Sequence, residues 1–134
     1  MRNAAADELR RMPFEITYQR DYALIRLFGA VTGDELLEAA RALQAVEAQR
    51  GAVNRVTDLT GMEELNFGYL DVDALAQVRR SLSFQSRIRS AIVANRPIQV
   101  GYARMFQTLN DNPAIEVRIV ACIDEAVAWF LPAR

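Results

Sequence analysis

The sequence predicts an α/β domain whose mixed, mainly parallel sheet opens with a hairpin and carries four helices. Three observations predict it. After Thr32, stretches with apolar residues at helical spacing alternate with short apolar strand-like runs, three times in succession. Before that point, two strand-like stretches stand almost back to back, as hairpin partners do. Gly, Pro and Asn punctuate the boundaries between these stretches. Strands alternating with helices argue for parallel pairing, and the opening hairpin supplies one antiparallel member.

Each element has its own reason. Residues 1–12 are polar and Ala-rich and read as a leader, loose or a short helix; residues 13–134 form a single domain. Phe14, Ile16 and Tyr18 alternate with Glu15 and Thr17, the period of a half-exposed strand. After a turn at residues 19–21, the run 22–28 forms the second strand, which Gly29 closes. Thr32 and Glu35 have the spacing of a capping box, and Leu36, Ala39, Ala40, Leu43 and Val46 share one helical face. Gly51 stops that helix. Residues 53–59 form the next strand, followed by a Gly-bounded loop at 61–70. Asp71 caps a helix that turns Val72, Leu75, Val78 and Leu82 inward. Residues 88–94 are a short apolar strand, and Pro97 suits a first helical turn. Ile98, Tyr102, Met105, Phe106 and Leu109 follow at helical spacing. Residues 115–123 make the last strand, and Asp124 caps a closing helix.

Composition removes several chemistries. The chain has 134 residues, one domain's worth, and 51% of them are hydrophobic, so a real core is expected. It has no histidine, which excludes His-based triads and Cys/His zinc sites. All sixteen basic residues are arginine, which excludes lysine Schiff bases and P-loop lysines. The one cysteine, Cys122, lies in an apolar run and reads as buried packing material. No cofactor and no metal is expected. The net charge of −1 and a pI near 5.5 argue against nucleic acid as a partner. No run of 18 apolar residues and no signal-peptide core occur, so integral membrane association is not expected and a cytoplasmic location is.

Three segments carry a resemblance. They are the strand end 56–61 (VTDLTG), the apolar run 90–94 (SAIVA) and the tail 125–131 (EAVAWFL). With the order of elements, they resemble the STAS domain of anti-sigma-factor antagonists, and more closely the uncharacterised bacterial SpoIIAA-like proteins. The resemblance implies a SpoIIAA/STAS-like fold over nearly the whole chain and a regulatory, protein-binding role. The antagonists carry a phosphorylatable serine in a turn after the matching strand. Here that turn falls near residues 66–69 and the acceptor position on Gly68, and no Ser or Thr lies between Gly61 and Arg80. The usual serine switch is therefore not expected.

Two surfaces are candidates. The loop is apolar for its position, with Met62, Leu65, Phe67, Tyr69 and Leu70, and Glu63, Glu64 and Asn66 among them. It reads either as a lid on the core or as a sticky surface for a partner. In open sheets, ligands meet the crevice outside the carboxyl ends of the strands. Thr32, Asp58, Thr60, Asn95, Arg96 and Asp124 should converge there, with Arg96 at a helix start suited to an anion. Residues 74–110 hold six arginines and no acid, so this part is +6 against −7 elsewhere. A basic face of that kind fits an acidic partner or the acidic face of a second copy, unless the charges pair internally, with Asp71 and Asp73 at hand. The first reading is a non-enzymatic interaction module acting through the loop, with self-association as a homodimer. The alternative is a carrier of a small apolar or anionic ligand, lipid-like, in the crevice. A third, an enzyme using carboxylates such as Asp58 or Glu63, finds no His, Lys or reactive-looking Cys to help it.

Overall fold

The structure is a computed structural model, and it describes residues 14–19, 21–51, 53–80, 87–110 and 112–131, without the side chains of Leu65, Asn66, Val78, Arg79 and Arg80. The leader and the inward placement of Val78 and Leu82 lie outside that description. Five strands form one sheet in the order β1-β2-β3-β4-β5: β1 Phe14–Tyr18, β2 Tyr22–Thr32, β3 Asn54–Asn66, β4 Ile88–Val93 and β5 Ile115–Val120. β1 runs antiparallel to β2, and every later pair is parallel. The helices are α1 Gly33–Arg50, α2 Tyr69–Arg80, α3 Pro97–Leu109 and α4 Ile123–Phe130. The mixed, mainly parallel sheet with its opening hairpin and four helices is the architecture read from the sequence.

Sequential parallel strands joined by right-handed crossovers place their helices on one face. Leu36 and Ala39 of α1, Val72 and Leu75 of α2, and Tyr102, Ala103 and Phe106 of α3 accordingly share one core with Leu27, Leu59 and Ile92 of the sheet. The opposite face is covered by α4, whose Ala126 packs among Leu24, Val56, Ala91 and Val93. Alternate residues of β3 and β4 thus serve different layers.

The helix signals act as expected where they are local. The Thr32 hydroxyl accepts from the Glu35 N–H at 3.2 Å, and Glu35 accepts from the Thr32 N–H at 2.9 Å. Gly51 ends α1 with φ at +86°, a conformation that favours glycine. Pro97 occupies the first turn of α3.

Four expectations need correction. β2 does not stop at Gly29; it runs on to Thr32, with Gly29 at φ +64° inside it. β3 continues to Asn66, through most of the segment read as a loop. Asp71 does not cap α2 from outside, since the helix begins at Tyr69; the Asp71 carboxylate instead accepts from the Gly68 N–H at 2.9 Å. β5 ends at Val120, so Cys122 precedes α4 and is exposed rather than buried. The Cys122 side chain makes no capping bond, Asp124 lies within the first turn, and Glu125 accepts from the Ala121 N–H at 3.0 Å.

Candidate functional site

The register explains the shape of the sheet's upper rim. Arg26, Asp58, Val93 and Val120 lie at one level across β2 to β5. β4 and β5 stop there, while β2 and β3 continue as a two-stranded ribbon, Phe28 to Thr32 against Gly61 to Asn66. Two extra residues in β3 make bulges, because Arg26 to Phe28 spans Asp58 to Gly61, and Gly29 to Ala30 spans Met62 to Glu64. The bulges shift the alternation, so Leu59 and Met62, three apart, both join the helical core. A Cβ on Gly61 would sit 3.0 Å from the Leu27 carbonyl, so the ribbon also needs a small residue there.

The ribbon is held from beneath by α3. Gln99, wholly buried, donates to the Met62 carbonyl at 3.1 Å and accepts from the Asn95 N–H at 3.1 Å. Arg96 donates to the same carbonyl. This corrects the anion-site reading of Arg96, whose guanidinium is turned onto the backbone of β3. Thr32 does not line the crevice either; it caps α1 at the end of the ribbon.

The four other crevice candidates, Asp58, Thr60, Asn95 and Asp124, do meet. β4 leads to α3 on one face, whereas β5 leads to α4 on the other, and a crevice opens where neighbouring strands part in this way. Its volume is about 290 Å³, and Asp58, Thr60, Asn95, Cys122 and Asp124 are among the residues lining it. Asp58 is largely committed to its own strand end: it accepts from the Thr60 N–H at 2.9 Å and the Thr60 hydroxyl at 2.6 Å. Arg26 lies 3.8 Å from its other oxygen. Among the described residues, no group of three His, Cys, Asp or Glu side chains is placed to hold a metal.

The loop candidates separate. Met62 is buried, with 1% of its surface exposed, while Glu63 and Glu64 are exposed on the ribbon. Leu65 and Asn66 belong to the ribbon by their backbone alone. Phe67 is half-buried, its ring edge-on to Tyr102 with centroids 5.2 Å apart. Tyr69 and Leu70 open α2 and stand 57% and 79% exposed. Ile98, expected to face inward on α3, is 50% exposed, and the buried place beside it goes to Gln99. Between these helix starts lies a groove of about 270 Å³ with Phe67, Gly68, Val72, Ile98, Tyr102 and Met105 in its walls. The sequence pattern hid Ile98, because its helical spacing matches that of core residues.

Two of the arginines of 74–110 are engaged within the fold. Arg89 donates to the Trp129 carbonyl and lies 3.8 Å from Glu116, and Arg96 is taken by Met62. Asp71 accepts from the Gly68 N–H and Asp73 from the Gln77 side chain.

Among solved structures, the chain is similar to an uncharacterized protein of the DUF3478 family with a SpoIIAA-like fold from Shewanella loihica PV-4. The two superpose with a TM-score of 0.58 over 88% of this chain and 92% of that one, at 18% identity. The fold is SpoIIAA-like. At that identity the likeness extends to the SpoIIAA-like architecture and no further. No protein-family model and no curated protein matches the sequence. Among the described residues, no helix is long and apolar enough to cross a membrane.

Proposed function

We propose that the protein is a non-enzymatic interaction module whose contact surface is the apolar ledge formed by Phe67, Tyr69, Leu70 and Ile98. One observation carries this reading. Three large apolar side chains, Tyr69, Leu70 and Ile98, stand half exposed or more around helix starts that enclose an apolar groove. Grouped exposed apolar residues around a concavity mark contact sites, whereas single ones do not. The Gln99 and Arg96 bonds tie α3 to the ribbon, so the Ile98 side of the ledge is presented on a rigid element.

The test is capture of partners from the source cell with the wild type and with a Leu70→Asp, Ile98→Asp variant. Both positions lie in the first turn of a helix, where a carboxylate is favoured by the helix dipole. The fold should therefore survive, with an unchanged melting curve. The expected result is a partner retained by the wild type and lost by the variant. Equal retention by both, or none by either, rejects the reading.

The crevice supports a second reading, a carrier of a small ligand. Its lining includes the carboxylates of Asp58 and Asp124 and no arginine, so it suits a neutral or cationic polar ligand rather than the anionic one. The apolar, lipid-like version has less room: the cavity between the sheet and α1 to α3 holds only about 40 Å³. Native mass spectrometry of freshly purified protein decides between an adduct and the bare chain.

A further inference from the structure

We infer that the outer edge of β5 is a pairing surface for a second copy of this chain, joined antiparallel about a two-fold axis at Val117. The ledge residues take no part, so this inference and the proposed function stand or fall separately. β5 is the last strand of the sheet, and among the described residues no strand pairs along its outer side. In a parallel pair, alternate residues turn their peptide groups toward the neighbour. Ile88 N–H bonds the Ala114 carbonyl and Ala94 N–H bonds the Val120 carbonyl, which sets the phase. Glu116 and Arg118 therefore bond toward β4, while Ile115, Val117 and Ile119 point their peptide groups outward.

The strand reads Ile115-Glu116-Val117-Arg118-Ile119, apolar, acid, apolar, base, apolar. Turned about Val117, it meets itself with Glu116 opposite Arg118 of the second copy, twice. These would be the closely spaced, non-hydrogen-bonded pairs of an antiparallel ladder, where side chains meet at short range. The register shifted by one residue to either side brings no such match. Both charges lie exposed or nearly so on one face, and Arg118 is already held 4.7 Å over the Trp129 ring. The Arg89 contact to Glu116, at 3.8 Å between exposed groups, competes only weakly.

The backbone allows four bonds: Val117 N–H to the Val117 carbonyl and Ile119 N–H to the Ile115 carbonyl, each in both directions. Gln107 already donates to the Val117 carbonyl and Asn110 to that of Ile115, both at 3.1 Å. Each carbonyl keeps a second lone pair. The Ile115 N–H is spent on Asn112 at 3.0 Å, which limits the ladder to those four.

The test is sedimentation equilibrium of the wild type, Glu116→Arg, Arg118→Glu and the double charge swap, with circular dichroism to confirm folding. The wild type should dimerise with rising concentration. Each single reversal should raise the dissociation constant about tenfold, since two attractive cross-strand pairs become repulsive. The double swap should restore the wild-type value. Val117→Pro offers an independent check, because its N–H points away from β4 and the fold tolerates proline there; that variant should be monomeric. A wild type that stays monomeric, a dimer indifferent to the single reversals, or a double swap that does not recover overturns the inference.

Discussion

Arg55 is wholly buried, and Glu47 of α1 receives its Nη2 through both carboxylate oxygens at 2.8 Å. Burial lowers the guanidinium's pKa, and Glu47 acts against that by attraction and hydrogen bonding. A buried pair of this kind is strongly coupled in one sense only: losing one partner costs far more than replacing both. Glu47→Ala should therefore destabilise the protein by about 3 kcal/mol in urea unfolding, whereas Glu47→Leu with Arg55→Met should come out near neutral. Tyr102 gives a pH test. Burial raises its pKa from the ordinary 10.0. The folded state thus holds the proton more tightly than the unfolded one, and this contribution is whole below pH 10.0 and lost as pH climbs through the folded-state value. The chain has no lysine, and Tyr18, whose pKa burial also raises, acts in the same direction, so the Tyr102 share is read by comparison with the variant. Tyr102→Phe should match the wild type near neutral pH and retain more of its stability in alkali, read from urea midpoints on either side of pH 10.0. A wild type and a variant that decline alike with pH would refute that account.

The helix starts of α1 and α2 meet through one residue pair. A Cβ added to Gly33 would overlap the Asp71 carboxylate, which is already bonded to the Gly68 N–H. Elsewhere in a helix, alanine for glycine stabilises by about 1 kcal/mol. Here the overlap should reverse the sign, and Gly33→Ala should cost about 1–2 kcal/mol as an overpacking change. In an Asp71→Ala background the penalty should shrink, which a double-mutant cycle measures; equal penalties in both backgrounds would mean the two residues do not interact. Elements set by short-range chemistry were legible in the sequence, as Thr32 with Glu35, Gly51 and Pro97 illustrate. The ribbon was not. Its two bulges break the alternation of β3, Gly61 and the Glu63–Glu64 pair imitate a loop, and its partner strand lies some thirty residues upstream. Cys122 was misplaced for a related reason: Ala121, Cys122 and Ile123 continue the apolar run of β5, yet Ala121 and Cys122 form the turn and Ile123 opens α4. Of the crevice candidates, Asp58, Thr60, Asn95 and Asp124 were placed by the strand-end rule alone. Thr32 and Arg96 escaped it because the ribbon carries one away and the Met62 carbonyl engages the other.

At the scale of the molecule, the two layers are unequal. Three helices cover one face, and α4, with eight residues, covers the other. A helix that short has little stability of its own, so it exists because it is docked. Its docking draws on strands that also build the main core: β4 gives Ala91 and Val93 to α4 and Ile92 to the three-helix side. Trp129, the chain's single tryptophan, lies between the Arg89 and Arg118 guanidiniums, 5.4 and 4.7 Å from its ring, and reports on this layer alone. Circular dichroism reports mostly on the three longer helices. Because the sheet is common property, removing either layer exposes apolar strand surface that the other cannot cover. Single domains of this size usually unfold in one cooperative step. Urea curves from Trp129 fluorescence and from circular dichroism should therefore superimpose. A fluorescence change well ahead of the loss of helix would mean that α4 lets go first, and that the face it covers opens while the three helices on the far side still hold.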